Sequence, residues 1–202
     1  MRWRRVCRRL RGVGGYSLIE MLVVLVIMGI VMTSLTTLFV TASNSEAGMN
    51  NRFRAQQNAR LALDKFRREV HCGSTVTLGS AGTPSGPLSA TSVTIKFPSG
   101  CKASLGAPLC SGSTTLWCVT WCTQGSGTRF GLYRVTGESC SGGTKYTDYL
   151  TLPNAFGYTA ASAGSRLLPK VNVDFPVNVK PDKTMEGYEL KDDVVLRNGT
   201  RA

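Results

Sequence analysis

Residues 14–40 read GGYSLIEMLVVLVIMGIVMTSLTTLFV, and this stretch decides how the rest of the chain is organised. From Leu18 to Val40 the only charged side chain is Glu20. As a helix those residues span roughly 34 Å, enough to cross a hydrocarbon core of about 30 Å. Upstream stand Arg2, Arg4, Arg5, Arg8, Arg9 and Arg11 with no acid among the first fifteen residues. Such a basic flank is expected to stay in the cytoplasm, which sends the C-terminal part outward.

The basic flank also accounts for half of the formal charge of +12 on 202 residues. Without it the chain carries 18 basic against 12 acidic groups, so its high charge says little about nucleic acid. Apolar content is ordinary at 42%, which excludes a disordered chain or a collagen-like repeat, and a single long apolar run excludes a polytopic transporter. Three readings of the N-terminus compete: a cleaved secretory signal, an uncleaved anchor, and a segment trimmed on its cytoplasmic side. The apolar run is longer than the roughly 7 to 15 residues of a signal peptide, although Val40-Thr41-Ala42 has the small-residue character of a cleavage site. Glu20 weighs more, because a carboxylate inside a spanning helix costs about 2.5 to 3.5 kcal/mol on insertion scales unless it finds a partner or reaches the headgroups.

The combination GGYSLIEMLVVLVIMGIVM resembles the prepilin-type N-terminus of type IV pilins and type II secretion pseudopilins. In that family a basic leader ending in glycine is removed by a membrane peptidase, and the new N-terminal residue is N-methylated. The resemblance implies that Gly15 ends the leader, that Tyr16 becomes residue one, and that Glu20 is the glutamate that directs assembly. A neighbouring subunit's N-terminal amine would then approach Glu20 in the filament core, where an unpaired carboxylate is costly. Thr37 occupies the place of a family proline, so the associated kink is expected to be absent or moved toward Gly29.

No proline occurs before Pro84, and the run from Ser45 to Val70 favours helix. Ala59, Leu63, Phe66 and Val70 recur at helical spacing and form a stripe to be buried, while Arg60, Asp64, Lys65, Arg67, Arg68 and Glu69 lie on other faces. The i, i+4 pairs Asp64 with Arg68 and Lys65 with Glu69 read as a solvated face. Composition then changes: Cys72 to Lys145 holds six charged residues in 74. Gly73 to Thr91 reads as a loop and Ser92 to Phe97 as a strand. Leu116–Thr123 and Thr128–Val135 form a hairpin around Gln124–Gly127, with further strands at Val171–Val179 and Asp193–Arg197. Trp117, Val119 and Trp121 alternate on one face, which makes the tryptophans core residues.

Removing the leader with Cys7 leaves Cys72, Cys101, Cys110, Cys118, Cys122 and Cys140, an even count that points to three disulfides in an exported domain. Cys118 and Cys122 lie about 13 Å apart on one strand and cannot pair with each other. Cys101 with Cys110 would close a short loop, and the hairpin returns Cys140 toward the start of its partner strand. Metal binding by His71-Cys72 or Cys118-x-x-x-Cys122 lacks paired close-spaced ligands, so no metal and no cofactor is expected. Catalysis would have to use His71, the only histidine, and no phosphate loop, zinc motif or nucleophile elbow appears. The chain is therefore not read as an enzyme. Asn198-Gly199-Thr200 matches a glycosylation sequon that arises easily by chance.

The expected architecture is α+β and pilin-like: residues 1–15 as a removed leader, 16–42 as a transmembrane and filament-core helix, 43–71 as its amphipathic continuation, and 72–202 as an extracytoplasmic disulfide-rich β domain. The phrases ARLALDKFRREV, the hairpin with LYR, and VVLRN resemble J-type minor pseudopilins and related minor pilins. That resemblance implies a single-pass protein of the bacterial inner or cytoplasmic membrane in a tip or priming complex. Its partners would be a prepilin peptidase/methylase, other pilin subunits and the membrane. Two alternatives stand beside it: a competence-pilus subunit using Arg129, Arg134 and Lys145 on DNA, and an anchored exported domain of unrelated function.

Overall fold

The computed structural model describes residues 15–80, 90–101, 106–161, 167–181 and 187–199; residues 1–14, including Cys7 and most of the expected leader, lie outside them, as do Pro84, Gly86, Pro87 and Thr200. A single helix, α1, covers Leu18–Cys72 and is unbroken through Gly29 and Thr37. The chain divides into two compact units, one up to Met49 and one from Asn50.

In the first unit the helix is apolar on every face from Met21 to Val40, and its most hydrophobic window is exposed throughout. A helix with apolar side chains on every face is stable only in a non-aqueous setting. Four of its threonines are satisfied internally: Thr33 donates to the Gly29 carbonyl at 2.8 Å, Thr36 to Met32 at 2.8 Å, Thr37 to Ser34 at 2.8 Å and Thr41 to Thr37 at 2.8 Å. No water is needed to pair those hydroxyls.

In the second unit the helix buries Ala55, Ala59, Ala62, Leu63, Phe66 and Val70 against an antiparallel sheet. The strands are β1 Thr75–Ser80, β2 Ala90–Phe97, β3 Trp117–Ser126, β4 Arg129–Thr136, β5 Thr144–Leu150, β6 Phe156–Thr159, β7 Lys170–Val177 and β8 Tyr188–Val195. They pair in the order β1-β2-β3-β4-β5-β7-β6, with β8 on the other side of β7. Single pairs, Leu150 with Val177 and Phe156 with Ala90, carry the path from β5 to β7 and from β6 back to β2, so six strands form a closed circuit of pairings.

Several expectations change. β1 occupies part of the stretch expected as a loop, because Val76 and Leu78 alternate against the core while Thr75 and Thr77 face out. β5 and β6 stand where no strand was expected. The β3–β4 ladder runs on to Ser126 opposite Arg129, so the turn is the pair Gly127-Thr128, tighter than the four-residue loop. Gly127 takes the positive φ of 64° that the first position of such a turn requires.

β3 is buried on both faces. Trp121 and Val119 are buried toward the core, where Phe66 meets the Trp121 ring edge-on at 5.7 Å. On the opposite face Cys118 and Cys122 are each bonded to a returning segment. The disulfides are Cys72–Cys101, Cys110–Cys118 and Cys122–Cys140, with Cα separations of 6.3, 5.0 and 6.1 Å, all within the ordinary range. The expected Cys101–Cys110 loop is thereby corrected. The 3₁₀ turn Ser99–Cys101 brings Cys101 to the end of α1, whereas Cys110 sits beside Cys118 because Leu109 bridges Trp117 and Cys110 N–H donates to Leu116 O at 2.8 Å.

Candidate functional site

The candidate site is the start of the helix. Gly15, Tyr16 and Ser17 are non-helical and exposed, and the Ser17 carbonyl accepts the first helical hydrogen bond from Met21 N–H at 3.2 Å. The Gly15–Tyr16 bond therefore lies in exposed, non-helical chain at the foot of the helix. A Cβ on Gly15 would meet nothing within 4 Å, so the glycine is not required by packing. Glu20 stands in the first turn, where the positive end of the helix dipole favours a carboxylate.

The other charged groups singled out in the sequence are used differently. Glu69 is only 1% exposed, which corrects its placement on a solvated face. Its carboxylate accepts from Trp121 Nε1 at 2.7 Å and Arg134 Nε at 2.8 Å, with Lys65 Nζ at 3.4 Å. Arg134 is thus drawn to the helix side of β4 and is not surface, while Lys145 pairs with Asp148 at 2.9 Å and Arg129 lies 4.6 Å from the Tyr149 ring. Those three cations form no common nucleic-acid track. The pair Asp64–Arg68 is also replaced: Arg67 bonds Asp64 at 3.1 Å and Asp192 at 2.7 Å, and Arg68 donates to the Asp64 backbone carbonyl at 3.3 Å. The Asp192 carboxylate raises the Arg67 pKa further, through the hydrogen bond first.

The burial of Glu69 had one signal in the sequence. It follows Ala62 by seven residues, about 20° away around the helix, so it borders the buried arc. Asp174 was not foreseen at all. It is 6% exposed on β7, with Lys191 Nζ 3.6 Å from Oδ2 and no hydrogen-bond partner for Oδ1. Burial, and then the nearby Glu189 charge, push its pKa up.

Tyr149 is the one non-glycine residue with positive φ, 68°, among the described residues. Asp148 accepts from its N–H at 3.0 Å, and its carbonyl accepts from Asn178 N–H at 2.9 Å. The strained residue directly precedes Leu150, which pairs with both Phe130 on β4 and Val177 on β7. His71 places Nδ1 2.9 Å from the Val195 carbonyl, a contact that ties the helix end to the end of β8. The Sγ atoms of Cys110 and Cys118 lie within 4.8 Å of a Glu138 oxygen, but both sulfurs belong to one disulfide and cannot act as thiolate ligands. A groove lined by Ser74, Thr75, Val76, Tyr158, Ala160, Ala161, Pro169 and Gly199 contains no titratable catalytic set.

Residues 10–36 match the model of the prokaryotic N-terminal methylation motif. No curated protein and no solved structure matches the chain. The match embraces Gly15, Tyr16 and Glu20 and supports prepilin-type processing of this segment.

Proposed function

We propose that the chain is a minor pilin or pseudopilin, a structural subunit of a type IV pilus or type II secretion-like filament with a place in a tip or assembly-priming complex. The observation that carries this reading is the methylation-motif match over residues 10–36, in which an exposed Gly15–Tyr16 bond precedes an apolar helical run, Leu18–Val40, whose one acid is Glu20. A prepilin peptidase cuts after Gly15 and Tyr16 is N-methylated. The precursor sits in the inner membrane with its arginine-rich end in the cytoplasm. The three disulfides support an exported, oxidising location for the β domain.

On this reading α1 first anchors the chain and then passes into the filament, where apolar faces pack on those of neighbouring subunits. Glu20 meets the N-terminal amine of a neighbour, and the pair replaces two isolated buried charges. Glu20→Ala is expected to leave cleavage and membrane insertion intact and to remove the subunit from sheared filament or hetero-subunit fractions. Recovery of that variant in those fractions at the wild-type level would contradict the role assigned to Glu20.

A further inference from the structure

The three disulfides stand in different surroundings. Cys110 and Cys118 are both buried, and the Cys118 sulfur lies 3.5 Å from a Glu138 carboxylate oxygen. A carboxylate there opposes the thiolate that opening this bond would expel. Cys72 is the last residue of α1 and is half-buried, as is Cys101. The negative end of the helix dipole and the Cys72 carbonyl, 3.3 Å from the Cys101 sulfur, oppose a thiolate in this pair as well.

Cys122–Cys140 is built the other way. Cys122 is fully buried on β3, whereas Cys140 belongs to a run, Glu138–Lys145, that is exposed at every residue. An attacking thiolate therefore meets Cys140 and expels the sulfur of Cys122. Gln124 places Nε2 3.6 Å from that sulfur. The same nitrogen also donates to the carbonyls of Cys140 and Gly142, which fixes the amide with its donor side toward the disulfide. A hydrogen bond from an amide strengthens when its acceptor becomes an anion, so Gln124 stabilises the leaving thiolate.

We propose that Cys122–Cys140 is a thiol-exchange site that takes a protein dithiol, while the other two disulfides stay closed. One thiolate of the dithiol attacks Cys140 Sγ. A bond forms between those two sulfurs, the Cys122–Cys140 bond breaks, and its electron pair leaves on Cys122, which then takes a proton. The second thiol displaces Cys140 from the mixed disulfide, so the dithiol is oxidised to a disulfide and the cystine is reduced to two thiols. The change is local. Gly137 N–H still donates to the Cys118 carbonyl at 3.0 Å, Thr120 Oγ1 still donates to the Gly137 carbonyl at 2.7 Å, and Thr144 still pairs with Arg134. Only the segment between Gly137 and Thr144 is released.

The test uses the full chain carrying Cys7→Ser, purified in detergent with its three disulfides formed. The folded protein is treated with graded dithiothreitol without denaturant, quenched with acid, alkylated with N-ethylmaleimide and mapped by peptide mass spectrometry. Cys122 and Cys140 are expected to become alkylated together, about tenfold faster than the other four cysteines, with far-ultraviolet circular dichroism unchanged. A different pair opening first, or all six cysteines becoming reactive at one rate, overturns the proposal. With glutathione, a monothiol, in place of dithiothreitol, the acid-trapped mixed disulfide is expected on Cys140. Its appearance on Cys122 overturns the direction of attack and the proposal with it.

Discussion

Glu69 is a carboxylate with 1% of its surface exposed, held between a helix and a sheet. Alone it would oppose the contact; with Trp121 Nε1 and Arg134 Nε at hydrogen-bond distance it fixes how the helix sits on β3 and β4. Removing the carboxylate leaves the Arg134 guanidinium, itself 11% exposed, without that counter-charge. Glu69→Ala is therefore expected to cost about 3–5 kcal/mol, read as a loss in denaturant midpoint of the oxidised protein, and Glu69→Gln distinctly less because the Trp121 bond survives. Equal losses for the two variants would show that the charge is all the site requires and that the retained Trp121 bond contributes nothing. The sequence spacing placed Lys65 and Glu69 as an exposed i, i+4 pair, and the pairing is present. What spacing cannot say is that a tryptophan and an arginine on strands far along the chain close over it.

At the scale of elements, the long helix was legible because its signals are local: an unbroken apolar run, then alanine, leucine and phenylalanine at helical intervals. The hairpin was legible for the same reason. β1 was hidden by its glycine, threonine and serine content, and β6 by having only four residues. β5 was hidden because it bulges against β4, so its alternation is irregular. The disulfide partners depend on which segments return to β3, and sequence separation carries no such information.

The β7–β8 ribbon contains a pH dependence of its own. Asp174, opposite Lys191, has its pKa raised by burial and then by Glu189. A carboxyl raised in the folded state favours folding while protonated, and that contribution is lost as pH rises from the ordinary aspartate range through the raised value. Asp174→Asn is accordingly expected to stabilise the protein at neutral pH by about 1 kcal/mol and to leave stability near pH 3 unchanged, by thermal unfolding at both pH values. A gain of the same size at both would remove titration as the cause.

For the whole molecule, the arginine-rich N-terminus, the apolar helix and the disulfide-bonded sheet are each what one step of the proposed export and assembly route needs. A positive flank sets orientation, a helix apolar on every face needs lipid or other helices, and cystines persist outside the cytoplasm. The methylation-motif match over residues 10–36 spans the junction of the first two. The most direct test is the N-terminal sequence and intact mass of the protein extracted from membranes of cells that contain a prepilin peptidase. The account predicts a chain that begins at Tyr16 and carries one added methyl group; a chain that begins at Met1, or at Ser43 after cleavage behind Ala42, contradicts it.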